Sequence, residues 1–96
     1  MINYSQSKIY KITDLTNGNV IFGSTNQLKL SRRLAELSHK YNKWLIDKKN
    51  YLTVFQIFEN DSYRISLVDT PVVSGKDELN SILNDYIEKF DCLNKL

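Results

Sequence analysis

Ser7-Lys8-Ile9-Tyr10-Lys11-Ile12 and Val20-Ile21-Phe22-Gly23 are two short β-forming runs, joined by Asp14-Leu15-Thr16-Asn17-Gly18-Asn19. Isoleucine, valine, phenylalanine and tyrosine suit a pleated, half-buried surface, so both runs favour strand. Asn-Gly between such runs is a strong hairpin signal, because both residues tolerate positive φ. The chain is therefore expected to open on an antiparallel hairpin, with Ser24-Thr25 following its second strand.

Beyond the hairpin, Thr25 or Asn26 is expected to cap a helix. Its apolar positions Leu30, Leu34, Leu37, Tyr41 and Trp44 recur in steps of three and four and form one stripe. Asn42 marks a place where that helix could break, and Lys40, Lys43, Lys48 and Lys49 crowd its second half. Val54-Phe55-Gln56-Ile57-Phe58 suits either a short buried helix or a strand. Asn60-Asp61-Ser62 signals a turn, and Tyr63-Arg64-Ile65-Ser66-Leu67-Val68-Asp69 alternates as a strand does. After Pro71, Ser74 with Asp77 or Gly75 with Glu78 can start a last helix, whose apolar face is Leu79, Ile82, Leu83, Tyr86, Ile87 and Phe90. The order is that of an α+β domain: a small three-stranded antiparallel sheet flanked by helices.

Ninety-six residues suffice for one domain with a modest core, here residues 1–96 with the core at about 7–95. A net charge of +2 supplies no compositional argument for nucleic acid, since phosphate-binding domains are usually more basic. The single cysteine, Cys92, leaves no internal disulfide and no cysteine-based metal cluster, which fits an intracellular setting in cytoplasm or nucleus. No apolar run approaches a membrane span of about 20 residues. The start, Met1-Ile2-Asn3-Tyr4-Ser5-Gln6, is expected to carry no secretory signal.

Three features in register resemble the GIY-YIG endonuclease family. The first is the hairpin, with Lys8-Ile9-Tyr10 answered by Ile21-Phe22-Gly23. The second is Leu30-Ser31-Arg32-Arg33-Leu34-Ala35-Glu36, placed where that family carries its arginine-bearing helix. The third is Tyr86-Ile87 followed by Cys92-Leu93-Asn94-Lys95, similar to the family's last helix and terminal asparagine. The resemblance covers residues 7–95 and implies a nuclease site where the hairpin meets two helices. It gives Tyr10 and Arg33 the catalytic positions, a tyrosine that helps deprotonate water and an arginine that steadies the phosphate. Lys8, Gly23, Arg32 and Asn94 fall among its substrate contacts.

Several working side chains of that family are replaced. Lys8 stands at the first motif glycine, Ile21 at the second motif tyrosine and Leu37 at a catalytic histidine or tyrosine. Leu83 stands where the metal-binding glutamate belongs. Asp85 lies about 200° around the helix from Leu83 and cannot substitute from that side. Asn84 is a neutral, poorer ligand. No metal ligand is therefore assigned and no cofactor expected, Mg²⁺ or Mn²⁺ being required only if activity survives. Because Ile21, Leu37 and Leu83 all exchange a polar group for an aliphatic one, the pocket is expected to have closed into the core.

The resulting expectation is a degenerate, non-cleaving nuclease fold kept as a DNA-binding, protein-interaction or structural module, with no membrane contact. The alternative is an active divalent-metal-dependent DNA endonuclease using Tyr10 and Arg33. Arg33 lies about 60° from the centre of the apolar stripe and could equally snorkel over the core. Tyr10 could equally be a packed cross-strand aromatic. Lys8, Lys11, Lys29, Arg32, Lys40 and Lys43 could join Tyr10, Tyr41 and Trp44 in a basic, aromatic surface. Scattered solvated lysines are the more ordinary explanation. His39, the sole histidine, has no partner for a metal site and reads as a surface residue. Self-association is open on the sequence.

Overall fold

A computed structural model describes residues 6–95, with side chains from Gln6 to Asn94. The start, 1–5, read above as lacking a signal segment, lies outside the described residues, as do the side chain of Lys95 and all of Leu96. The order is β1 (Lys8–Asp14), β2 (Val20–Thr25), α1 (Leu30–Asp47), α2 (Phe55–Glu59), β3 (Tyr63–Asp69) and α3 (Lys76–Lys89), then a 3₁₀ turn at Leu93–Lys95. The strands form one antiparallel sheet ordered β2-β1-β3, so the first strand is central.

The hairpin is closed by backbone bonds from Asp14 N–H to Asn19 O (2.7 Å) and from Gly18 N–H to Asp14 O (2.8 Å). Gly18 takes the positive φ of 78°, and Asn17 does not. Asp14 ends β1 rather than belonging to the turn. Its buried carboxylate accepts from Thr16 N–H (2.9 Å), Thr16 Oγ1 (2.6 Å) and Asn60 Nδ2 (2.6 Å), tying the hairpin turn to the loop before β3. Those donors hold the Asp14 carboxyl below its ordinary value, Thr16 contributing most and Asn60 next.

Alternation on β1 splits the core between two faces. Tyr10 and Ile12 pack with Leu37 of α1, with Val54 and with Phe55, Ile57 and Phe58 of α2. Ile9 points the other way, to Val73 and to Leu79 of α3. The sheet is thus sandwiched, α1 and α2 on one side and α3 on the other. The stripe on α1 behaves as its spacing demands: Leu37 is buried, and Leu30, Leu34, Tyr41 and Trp44 pack against the same cluster. Tyr41 and Trp44 meet Phe55 at ring distances of 5.4 and 5.5 Å, and this aromatic anchoring carries α1 unbroken through Asn42. It also resolves the ambiguous Val54–Phe58 segment as a short buried helix.

Thr25 and Asn26 do not cap α1, which starts after Lys29 with no side-chain cap. Their oxygens are committed elsewhere, Thr25 Oγ1 to Gln27 N–H (3.1 Å) and Asn26 Oδ1 to Ser7 Oγ (2.7 Å). Gly75 precedes α3, and Ser74 Oγ donates to Glu78 Oε2 at 3.0 Å. Asp77 and Glu78 in the first turn and Lys89 in the last agree with the helix dipole.

Where β1 meets β3 the register slips: Tyr10 pairs with Leu67, but Ile9 pairs with Asp69. Val68 is the extra residue of a β-bulge. The bulge turns Asp69 toward α3, where its Oδ2 accepts from the Tyr86 hydroxyl at 2.9 Å. That bond, followed by burial, raises the Tyr86 hydroxyl above its ordinary pKa.

Candidate functional site

Central β1 delivers Tyr10 to the α1 face of the sheet, opposite Gly23 of β2. A Cβ built on Gly23 would fall 2.9 Å from Tyr10 Cε1 and closer still to Cζ and the hydroxyl, so this glycine is what lets the ring lie across the hairpin. Tyr10 is 3% exposed. Its hydroxyl accepts from Arg33 Nε at 3.2 Å. Arg33, half-buried on α1, thus sits on the sheet side of its helix, one turn before buried Leu37.

Tyr10, Gly23 and Arg33 border a crevice of about 280 Å³, with the loop through Leu52 and Val54 on one side. Ile21, Leu37 and Leu83 line it as well, so these three aliphatic side chains converge in space as expected. Closure into the core is partial. Leu37 is buried, while Ile21 and Leu83 remain half-buried on the wall of an open depression. β1 supplies Tyr10, β2 Ile21 and Gly23, α1 Arg33 and Leu37, and α3 Leu83.

The other candidate residues are distributed around this crevice. Asn94 clamps the free edge of β2: its Oδ1 accepts from Phe22 N–H and its Nδ2 donates to Phe22 O, both at 2.8 Å. The edge strand thereby gains a partner that imitates a further strand. Lys8 Nζ donates to the carbonyls of Gln6 (2.8 Å) and Gln27 (2.9 Å), fastening β1 to the loop after β2. Arg32 is exposed and does not line the crevice, and His39 is exposed as well.

A divalent ion, which the family resemblance implies, does not fit this crevice. Its lining includes no carboxylate, and Arg33 contributes positive charge where an anionic oxygen would be needed. Glu36 is exposed and accepts from Gln27 Nε2 at 3.0 Å. Asp85 lines a different depression, with Asp69, Tyr86 and Lys89. Among the described residues, no group of three or more histidine, cysteine, aspartate or glutamate side chains could hold a metal.

The basic, aromatic surface is narrower than its sequence outline. Lys40, Lys43 and Trp44 share a second depression, of about 420 Å³, with Asp47, Lys49, Asn50 and Leu52. Lys8, Lys11, Lys29 and Arg32 are not part of it. Tyr41 is turned into the aromatic cluster, where burial, then the charges of Glu59 and Asp61, raise its hydroxyl pKa. Lys49 and Asn50 escaped the sequence reading as site residues. They reach the depression because Lys48 and Asn50 adopt left-handed φ of 57° and 62°, which no glycine announces.

No described helix is long and apolar enough to cross a membrane. Among protein families, curated proteins and solved structures, none matches the chain.

Proposed function

We propose that this chain is a degenerate GIY-YIG-type domain that does not cleave phosphodiester bonds and serves as a nucleic-acid-binding module. The observation that carries the reading is the crevice itself. Tyr10, Gly23 and Arg33 meet there as a nuclease of that family would require, yet Ile21, Leu37 and Leu83 line it and no carboxylate does. Hydrolysis by a single divalent ion needs an anionic ligand that holds the metal beside the leaving oxygen. Arg33 spends its Nε on Tyr10, and no bond among the described residues engages its terminal Nη groups, which can donate to a phosphate oxygen. Retention of phosphate without turnover is what this combination can do.

The test is nicking of a supercoiled plasmid with Mg²⁺ or Mn²⁺. The reading expects no open circles beyond those formed with Arg33→Ala. Cleavage abolished by Arg33→Ala would establish the opposite reading, an active endonuclease.

Binding of a protein, including a second copy of this chain, is the second reading. Leu45 (44% exposed) and Ile46 (86% exposed) stand uncovered near the end of α1. Light scattering on the free protein tests self-association.

A further inference from the structure

We propose that the depression between the second half of α1 and the loop after it binds single-stranded nucleic acid, at a site separate from the Tyr10–Arg33 crevice. The proposal deepens the binding-module reading, and because the two sites share only Leu52, each can fail alone. Lys40, Lys43 and Trp44 enter from α1, and Lys49 and Asn50 from the loop, around a space of about 420 Å³. Residues three apart on a helix lie on one face, so the Lys40 and Lys43 ammonium groups rise side by side.

Lys48 adds a further cation, its Nζ 4.1 Å from the centroid of the Trp44 ring. No hydrogen bond or ion pair among the described residues engages the ammonium groups of Lys40, Lys43 or Lys49. The one acid on the wall, Asp47, accepts the Lys49 N–H through Oδ1 at 3.0 Å. Four lysines and one aspartate give this region a formal +3, whereas the whole chain carries +2. The positive charge that composition dilutes is therefore concentrated here.

The aromatic half of the site joins Trp44 of α1 to Tyr51 of the loop. Tyr51, 49% exposed, meets Trp44 edge-on at a ring distance of 5.2 Å. Left-handed Lys48 and Asn50 are the turns that fold this loop back along the helix, an uncommon conformation for residues bearing a Cβ. The exposed Tyr51 ring, beside Trp44 and ammonium groups that no described residue engages, is the pattern that stacks a base and neutralises the phosphates on either side of it. A duplex keeps its bases stacked inside and could present only phosphates to this depression. The combination therefore selects single strands.

Trp44 is the only tryptophan, so its fluorescence reports this site alone. Titration with an oligothymidylate should quench it saturably. Engagement of about three phosphates predicts a salt slope near −2, or roughly 20-fold weaker binding between about 50 and 200 mM salt. Lys40→Glu combined with Lys43→Glu should weaken binding at least tenfold. Lys49→Glu, which lies outside any helix, should weaken it independently, while Arg64→Ala on β3 should leave it unchanged. A duplex of the same length should bind more weakly and without quenching. The proposal is overturned by absence of oligothymidylate binding, by binding that leaves Trp44 unquenched, by charge reversals without effect, or by equal quenching with duplex.

Discussion

Tyr10 and Gly23 face one another across the hairpin, and the phenol occupies the space that any side chain at position 23 would need. Because Tyr10 is packed among Ile12, Leu37 and the α2 residues, its ring cannot swing aside without opening the core. Gly23→Ala is therefore expected to destabilise the protein by about 1–3 kcal/mol, the usual cost of overpacking. Urea unfolding measures it, and the same variant should break the Arg33–Tyr10 hydrogen bond. Tyr10→Phe, which removes only the acceptor, should cost about 0.5–1.5 kcal/mol.

Asn94→Ala deletes the clamp on β2. Phe22 then keeps a backbone N–H and C=O without partners at the sheet edge, beside a buried side chain. The expected loss is about 1–3 kcal/mol. Amide hydrogen exchange at Phe22 should accelerate more than exchange at Ile12 in the central strand. Equal acceleration at both would mean that Asn94 acts through global stability alone.

Asp14 gives the fold an acid-sensitive joint. Its folded pKa is held below the ordinary 3.8, so the stabilisation from Thr16 and Asn60 is full above that value and lost as pH falls through the folded pKa. Asp14→Asn presents an amide N–H₂ to donors and should lower the melting temperature at neutral pH. It should also flatten the decline in stability below about pH 4. Thermal melts across acid pH check both signs.

Legibility in the sequence followed the range of the forces involved. Strand β3 and the hairpin were readable because alternation and Asn17-Gly18 act locally. The α1 stripe was readable because one helix face is decided by spacing alone. The expected cap was misplaced because Thr25 and Asn26, good caps by type, are occupied by Gln27 and by the distant Ser7. Strict alternation would put Asp69 on the side of Ile65 and Leu67, and only the bulge at Val68 carries it to Tyr86. At the crevice, residue types foretold the meeting of Ile21, Leu37 and Leu83 but not how open their cavity stays. The lysine and tryptophan depression depends on left-handed Lys48 and Asn50, for which residue type gives no warning.

Leu83→Glu places a carboxylate at a position whose side chain lines the crevice. Leu83 also packs with Ile9, Val73 and Leu79, so a charge there should destabilise by about 1–3 kcal/mol or more. Adding Mg²⁺ should not recover the loss, since one carboxylate beside Arg33 makes a poor cation site. Recovery in Mg²⁺, seen as a raised melting temperature, would show a crevice better prepared for metal than its lining suggests.

The most direct measurement is Mn²⁺ binding to the wild-type protein, followed by the free-ion EPR signal and by paramagnetic broadening of backbone amide resonances. With no carboxylate on the crevice wall, the signal should fall by no more than weak surface association explains, and the amides of Gly23, Ser24 and Arg33 should stay sharp. One stoichiometric ion that selectively broadens those three amides would contradict it.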